Sequence, residues 1–164
     1  MSVLGELQPN KVFKYFEEIC SIPHGSRNLQ QISDYLVDFA KAHELKYRQD
    51  EDLNVIIWKD GSKGYEASEP VILQGHMDMV AVKEADCDKD MEKEGLDLEI
   101  NGDYISAKGT SLGGDDGIAV AYTLAVLDDE EMAHPPIEAI FTVNEEIGML
   151  GAATIDVSDL SLIH

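Results

Sequence analysis

Val71-Ile72-Leu73-Gln74-Gly75-His76-Met77-Asp78 decides how this chain is read. Val71–Gln74 is short, apolar and rich in β-branched residues, which predicts a buried central strand. The strand delivers an imidazole and a carboxylate two residues apart. Side chains at that spacing share one face of extended backbone. A neutral imidazole ligates zinc, and a neighbouring carboxylate can fix its tautomer. Taken alone, the pattern reads at least as well as a histidine bonded to backbone beside a solvated aspartate.

Working outward, Val12, Phe13, Phe16, Ile19 and Cys20 recur at helical spacing after Pro9, which falls in the first turn. Ile22-Pro23-His24-Gly25 ends that helix. A second helix is predicted from about Asn28 to His43, with Ser26 as N-cap and Leu29, Ile32, Leu36, Phe39 and Ala40 on its apolar face. Leu53–Trp58 reads as a strand, and Leu98–Ile105 as a hairpin whose Asn101-Gly102 suits a type I′ turn. An apolar helix spans about Gly117 to Leu127. His134-Pro135-Pro136 breaks the chain before a strand at Ile137–Val143, and Ser158–Ile163 looks like the approach to another. Helices alternating with buried strands predict an α/β fold with a mixed β-sheet sandwiched by helices.

Two further acidic clusters sit at element ends. In Ser111-Leu112-Gly113-Gly114-Asp115-Asp116-Gly117, acids fall where a helix begins. Acids near a helix N-terminus are stabilised by its dipole, but that leaves the flanking glycines unexplained. Glycine lets backbone approach a ligand closely, and one carboxylate can bridge two metal ions roughly 3.5–4 Å apart. In Ile140–Gly148, Glu145 and Glu146 directly follow a buried strand. Adjacent side chains diverge in a strand, so their convergence requires a turn, which Gly148 supports. One glutamate could then bind metal and the other accept a proton; a solvated loop is the competing reading.

The order of the three clusters resembles the two-zinc exopeptidases, a family that includes carnosinase-like enzymes and bacterial aminoacyl-histidine dipeptidases. The matching segments are Gly75–Val80, Lys108–Ile118 and Glu145–Ala152, with Ser21–Gly25 near the start. The Gly-Thr-Ser-Leu-Gly-Gly approach and the lack of a lysine after Asp116 look most like the Xaa-His dipeptidase branch. The resemblance implies two zinc ions, replaceable by cobalt or manganese. His76 would bind one, Asp115 would bridge both, and Glu146 would bind the second. Glu145 would be the general base, Asp78 would orient His76, and the Asp115-Asp116 peptide would be cis. It implies a small peptide substrate, with an aminotripeptidase or deacylase of the same superfamily as alternatives. It also implies that residues 1–164 are the N-terminal part of a catalytic domain. A further aspartate and histidine ligand, and an inserted domain through which the full-length form dimerises, would lie outside them. On that reading the 164 residues alone are weakly active or inactive; a non-catalytic interaction domain is the remaining alternative.

Bulk properties agree. Hydrophobic residues make up 44% of the chain, enough for a packed core. With 33 acids against 12 bases, the net charge of −21 repels nucleic-acid phosphates and anionic membranes, so neither is an expected partner. Cys20 is expected to be buried and reduced, and Cys87 exposed. No basic, apolar leader opens the chain and no apolar stretch reaches the roughly 20 residues that span a bilayer, so a cytoplasmic location is expected.

Overall fold

Val12, Phe16, Ile19 and Cys20 line the buried face of α1 (Asn10–Cys20) in the computed structural model, which describes residues 2–161. Pro9 is the N-cap of α1 and lies one residue outside its first turn. α2 (Gln30–Ala42) buries Ile32, Leu36, Phe39 and Ala40, the face the periodicity predicts. Its N-cap is Leu29, and no side chain caps it. Ser26 is therefore not the cap: its hydroxyl donates to the carboxylate of Asp78 at 2.7 Å. A buried carboxylate is the stronger acceptor, because charge-assisted hydrogen bonds are roughly twice as strong as neutral ones.

Six strands follow among the described residues: β1 (Lys46–Gln49), β2 (Val55–Lys59), β3 (Val71–His76), β4 (Leu98–Asn101), β5 (Tyr104–Ala107) and β6 (Ile137–Thr142). Four of them form a sheet in the order β1-β2-β6-β3. Its β1–β2 and β2–β6 pairs are antiparallel, and β3–β6 is parallel. The sheet is thus mixed, as expected. Every residue of β6 is buried, which is why its sequence is mostly apolar without a regular polar alternation; the buried Glu138 accepts from Ser161. Val55, Ile57, Ala139 and Phe141 join residues of all three long helices in the main core. The alternate residues Ile56 and Ile140 form a smaller cluster with Leu160.

α3 (Gly114–Leu127) packs on β3 and on α1. Lys59, at the end of β2, donates to the carbonyls of Val126, Leu127 and Asp129 at 3.2, 2.9 and 2.6 Å. A cation there supplies donors to carbonyls at the helix end and complements its dipole.

Several local expectations are corrected. Asn101 pairs with Tyr104 in the β4–β5 hairpin, so the turn residues are Gly102 and Asp103. Only Gly102 of the three takes positive φ, at 63°, so the turn is displaced by one residue from Asn101-Gly102. β1 and the short α4 (Leu150–Thr154) were not anticipated. Cys20 is buried, whereas Cys87 is half-buried rather than exposed. Ser158-Asp159 lies in a turn, and the strand that Ser158–Ile163 is expected to approach falls on residues 162–164, His164 among them, which lie outside the described residues. No helix among the described residues is long and apolar enough to cross a membrane.

Candidate metal centre

The parallel register pairs Gly75 with Phe141 and His76 with Thr142, so β3 and β6 end side by side. Crevices outside the carboxyl ends of such strands are where open α/β sheets bind ligands. His76 is the last residue of β3, with its side chain 9% exposed. Its Nδ1 lies 3.0 Å from the backbone carbonyl of Asp78. A proton on Nδ1 satisfies that carbonyl and leaves the Nε2 lone pair facing outward. Nε2 is 3.1 Å from Asp115 Oδ1 and 3.7 Å from Glu145 Oε2. Burial disfavours the charged ring, but the carbonyl and carboxylate of Asp78, with Asp115 and Asp116, outweigh it and hold the imidazole pKa above its ordinary value.

Asp115 and Asp116 interrupt the start of α3 with non-helical backbone, and regular helix begins at Gly117, as the sequence indicated. The peptide bond between the two aspartates is cis. Gly113 enters the turn at φ 68°, with Met79 packed where a side chain would go. The two acids diverge. Asp115 has an 88% exposed side chain. Asp116 turns back, and its Oδ2 accepts the His76 N–H at 3.2 Å. A Cβ on residue 75 would stand 3.0 Å from that oxygen, so glycine permits the approach. Burial raises the Asp116 pKa, aided by the charges of Asp115 and Glu145 and opposed by the His76 N–H and ring.

Glu145 and Glu146 lie in the turn that follows β6. Asn144, Gly148 and Met149 adopt positive φ there, at 53°, 119° and 55°, so the chain reverses where the sequence required it to. The Gly151 N–H donates to the Val143 carbonyl at 2.9 Å and closes the turn. Buried Asn54 seals the base, accepting from Val143 N–H at 3.1 Å and donating to Gly151 O at 3.3 Å.

Three donor groups, from His76, Glu145 and Glu146, lie within 4.8 Å of one another. Asp115 reaches this group through His76. One imidazole nitrogen and several carboxylate oxygens form a donor set suited to zinc and similar divalent ions, although both glutamates, and not Glu146 alone, stand within reach of a common ion. Asp78 is fully buried, and its carboxylate is 3.6 Å from His76 Nδ1, beyond hydrogen-bonding distance. It instead accepts from Ser26 Oγ at 2.7 Å, Glu145 N–H at 3.0 Å and Glu146 N–H at 3.4 Å. Ser26, Asn54 and Gly75 are the contributors that sequence reasoning missed. Only Gly75, placed just before the histidine, left a trace in the local sequence.

The other histidines among the described residues have separate partners. His24 Nδ1 bonds the Ile22 carbonyl, His134 Nδ1 bonds the Pro135 carbonyl, and His43 caps α2 against Phe39. Asp156 and Asp159 both pair with Arg48, at 3.7 and 3.0 Å.

A mixed α/β sheet that gathers an imidazole and paired carboxylates beyond adjacent parallel strands has the architecture of the exopeptidase fold. The relatives make the class specific. The chain is 41% identical over 152 residues to the cytosol non-specific dipeptidase of Escherichia coli (strain K12), an alignment covering 93% of the chain and 31% of that protein. The crystal structure of aminoacylhistidine dipeptidase from Vibrio alginolyticus superposes with a TM-score of 0.93 at 39% identity, covering 96% of the chain and 32% of that structure. A tripeptidase from Staphylococcus aureus shares the fold, with a TM-score of 0.74 at 24% identity over 93% of the chain and 41% of its own. No family model matches the chain. In sequence and fold the chain is thus related to dipeptide-hydrolysing enzymes, and it spans about a third of the length of the two dipeptidases.

Proposed function

We propose that this chain is part of the metal-binding catalytic domain of a two-zinc dipeptidase that cleaves Xaa-His peptides. The observation that carries the reading is the convergence of His76, Glu145 and Glu146, with Asp115 3.1 Å from His76, at the carboxyl ends of β3 and β6. His76, Asp115 and Glu146 would hold the ions, Asp115 being shared between them. Zinc, when bound, would polarise a peptide carbonyl and ease the deprotonation of water; cobalt or manganese could replace it. Glu145, whose side chain is 38% exposed, can meet substrate. Its carboxylate would take a proton from the attacking water and pass it to the departing amine. Asp78 would keep the two glutamates and the histidine in register.

These side chains are few for two ions, since zinc usually takes four ligands. The remaining ligands would come from outside the 164 residues, so that by themselves these residues turn over little or no peptide. A peptide substrate and a cytoplasmic location, supported by the names of the relatives, and a dimerising domain beyond these residues complete the proposal.

The test is Glu145→Gln in the whole protein that carries this chain. Release of histidine from a Xaa-His dipeptide should fall by about 10²- to 10⁴-fold, the range for general-base loss, while bound zinc measured by atomic emission stays unchanged. Loss of zinc together with activity would overturn the base assignment. A tripeptide or an N-acyl amino acid consumed faster than the dipeptide by the unmodified protein would reassign the substrate.

A further inference from the structure

Asp78 poses a problem that the histidine does not solve. Its side chain is 0% exposed, and a buried carboxylate needs donors to offset lost hydration. His76 supplies none, because Nδ1 faces the Asp78 backbone carbonyl at 3.0 Å. Two donors are the backbone N–H groups of Glu145 and Glu146. The third, and the shortest of these bonds at 2.7 Å, is the Ser26 hydroxyl.

Ser26 belongs to a bracket held in place independently of Asp78. Its own N–H donates to the Met79 carbonyl at 3.2 Å, and the Met79 N–H donates to the His24 carbonyl at 3.1 Å. Gly25 bridges to Met79, and a Cβ there would stand 2.7 Å from that of Ala81, so the bracket sits this close only with glycine. The next residue, Arg27, takes φ 73° and donates its N–H to Asn144 Oδ1 at 2.8 Å. One loop therefore touches both the carboxylate and the residue preceding the glutamate pair.

We infer that Ser26 is a positioning residue for peptide hydrolysis. By donating to Asp78 Oδ2 it fixes the carboxylate whose oxygens hold the backbone of Glu145 and Glu146, and so sets where the base stands relative to the ligand glutamate and His76. The inference rests on the roles proposed for the two glutamates.

Ser26→Ala, Ser26→Thr and Glu145→Gln, made in the whole protein, separate the possibilities. Ser26→Ala should lower kcat by about 10- to 100-fold, the usual effect of losing a group that orients metal-site residues, with KM changed less than about 2-fold. Ser26→Thr keeps the hydroxyl and should recover most of kcat. The amide proton resonances of Glu145 and Glu146 should shift in the alanine variant and stay near their wild-type positions in the threonine variant. Wild-type kcat in Ser26→Ala, or equal impairment by alanine and threonine, would overturn the role of Ser26. Should Ser26→Ala fail to fold, the threonine variant decides, because impaired turnover or displaced glutamate amides in a folded Ser26→Thr protein contradict the inference. Activity retained in Glu145→Gln would instead remove the underlying reading of the glutamates, whatever the serine variants do.

Discussion

At position 24 a histidine ring is 3% exposed and gives Nδ1–H to the Ile22 carbonyl at 2.6 Å. Burial holds its pKa below the ordinary value, against the opposing pull of that carbonyl and of the Asp78 charge. An unfolded ring titrates near pH 6.5, so below that pH the unfolded chain binds more protons than the folded one, and folding is weakened. The contribution of His24 is therefore present above about pH 6.5 and is lost as pH falls towards its depressed folded value. His76 acts in the opposite sense: its raised pKa gives stability present below about pH 6.5 and lost as pH rises through the folded value. Comparison with His24→Asn, which retains a donor but cannot titrate, isolates His24. Urea unfolding at pH 7.5 and 5.5, in chelator, should show wild type losing more stability on acidification than the variant, by at most about 1.4 kcal/mol per pH unit. Equal losses would show that His24 carries none of it.

The turn that presents Glu145 and Glu146 is an element with no repetitive structure of its own, and Asn54 is what closes it. That side chain, 1% exposed, engages Val143 N–H, Gly151 O and the Asp50 carboxylate. Asn54→Leu keeps the volume similar but orphans a buried donor and acceptor, each costing about 1–3 kcal/mol. Chemical denaturation should report a loss in that range or above, together with weaker zinc binding, whereas unchanged stability would show that the turn closes without the clip. Asn54 also marks where the sequence stopped being legible. The periodic helices α1 and α2 and the short buried run of β6 could be read because their apolar patterns are local, and the three acidic clusters because each is a short string. Ser26 and Asn54 act on partners 52 and 89 residues away, a distance no local pattern encodes. β1 was missed because Lys-Tyr-Arg-Gln has no buried face to alternate, its residues being exposed or half-buried. α4 was missed because it is only five residues long and too short for a helical period.

Across the whole molecule the dominant electrostatic fact is 33 acids against 12 bases. Some bases are paired, but at exposed positions: Lys41 with Asp38 at 2.9 Å and Lys93 with Asp90 at 2.8 Å. Exposed pairs of this kind contribute about 0–1 kcal/mol each, too little to balance the repulsion among 21 uncompensated acids. Net charge of one sign destabilises the compact state through self-repulsion. Salt shortens its reach, from about 30 Å at 0.01 M to about 10 Å at 0.1 M and 3 Å at 1 M. Screening weakens the few attractive pairs as well, but the repulsive ones outnumber them, so the net effect has a definite sign. The melting temperature of this chain at pH 7.5 should rise with sodium chloride over 0.01–0.5 M. A divalent ion adds a separate, saturable increment where it binds the folded state, worth about 2.7 kcal/mol at a free concentration 100 times its Kd. Zinc at constant ionic strength should therefore raise the melting temperature further, and His76→Ala should remove that increment while leaving the sodium chloride effect intact. A melting temperature that falls with salt would mean that attractive pairs dominate after all. An equal zinc response in His76→Ala would place the ion away from β3 and β6.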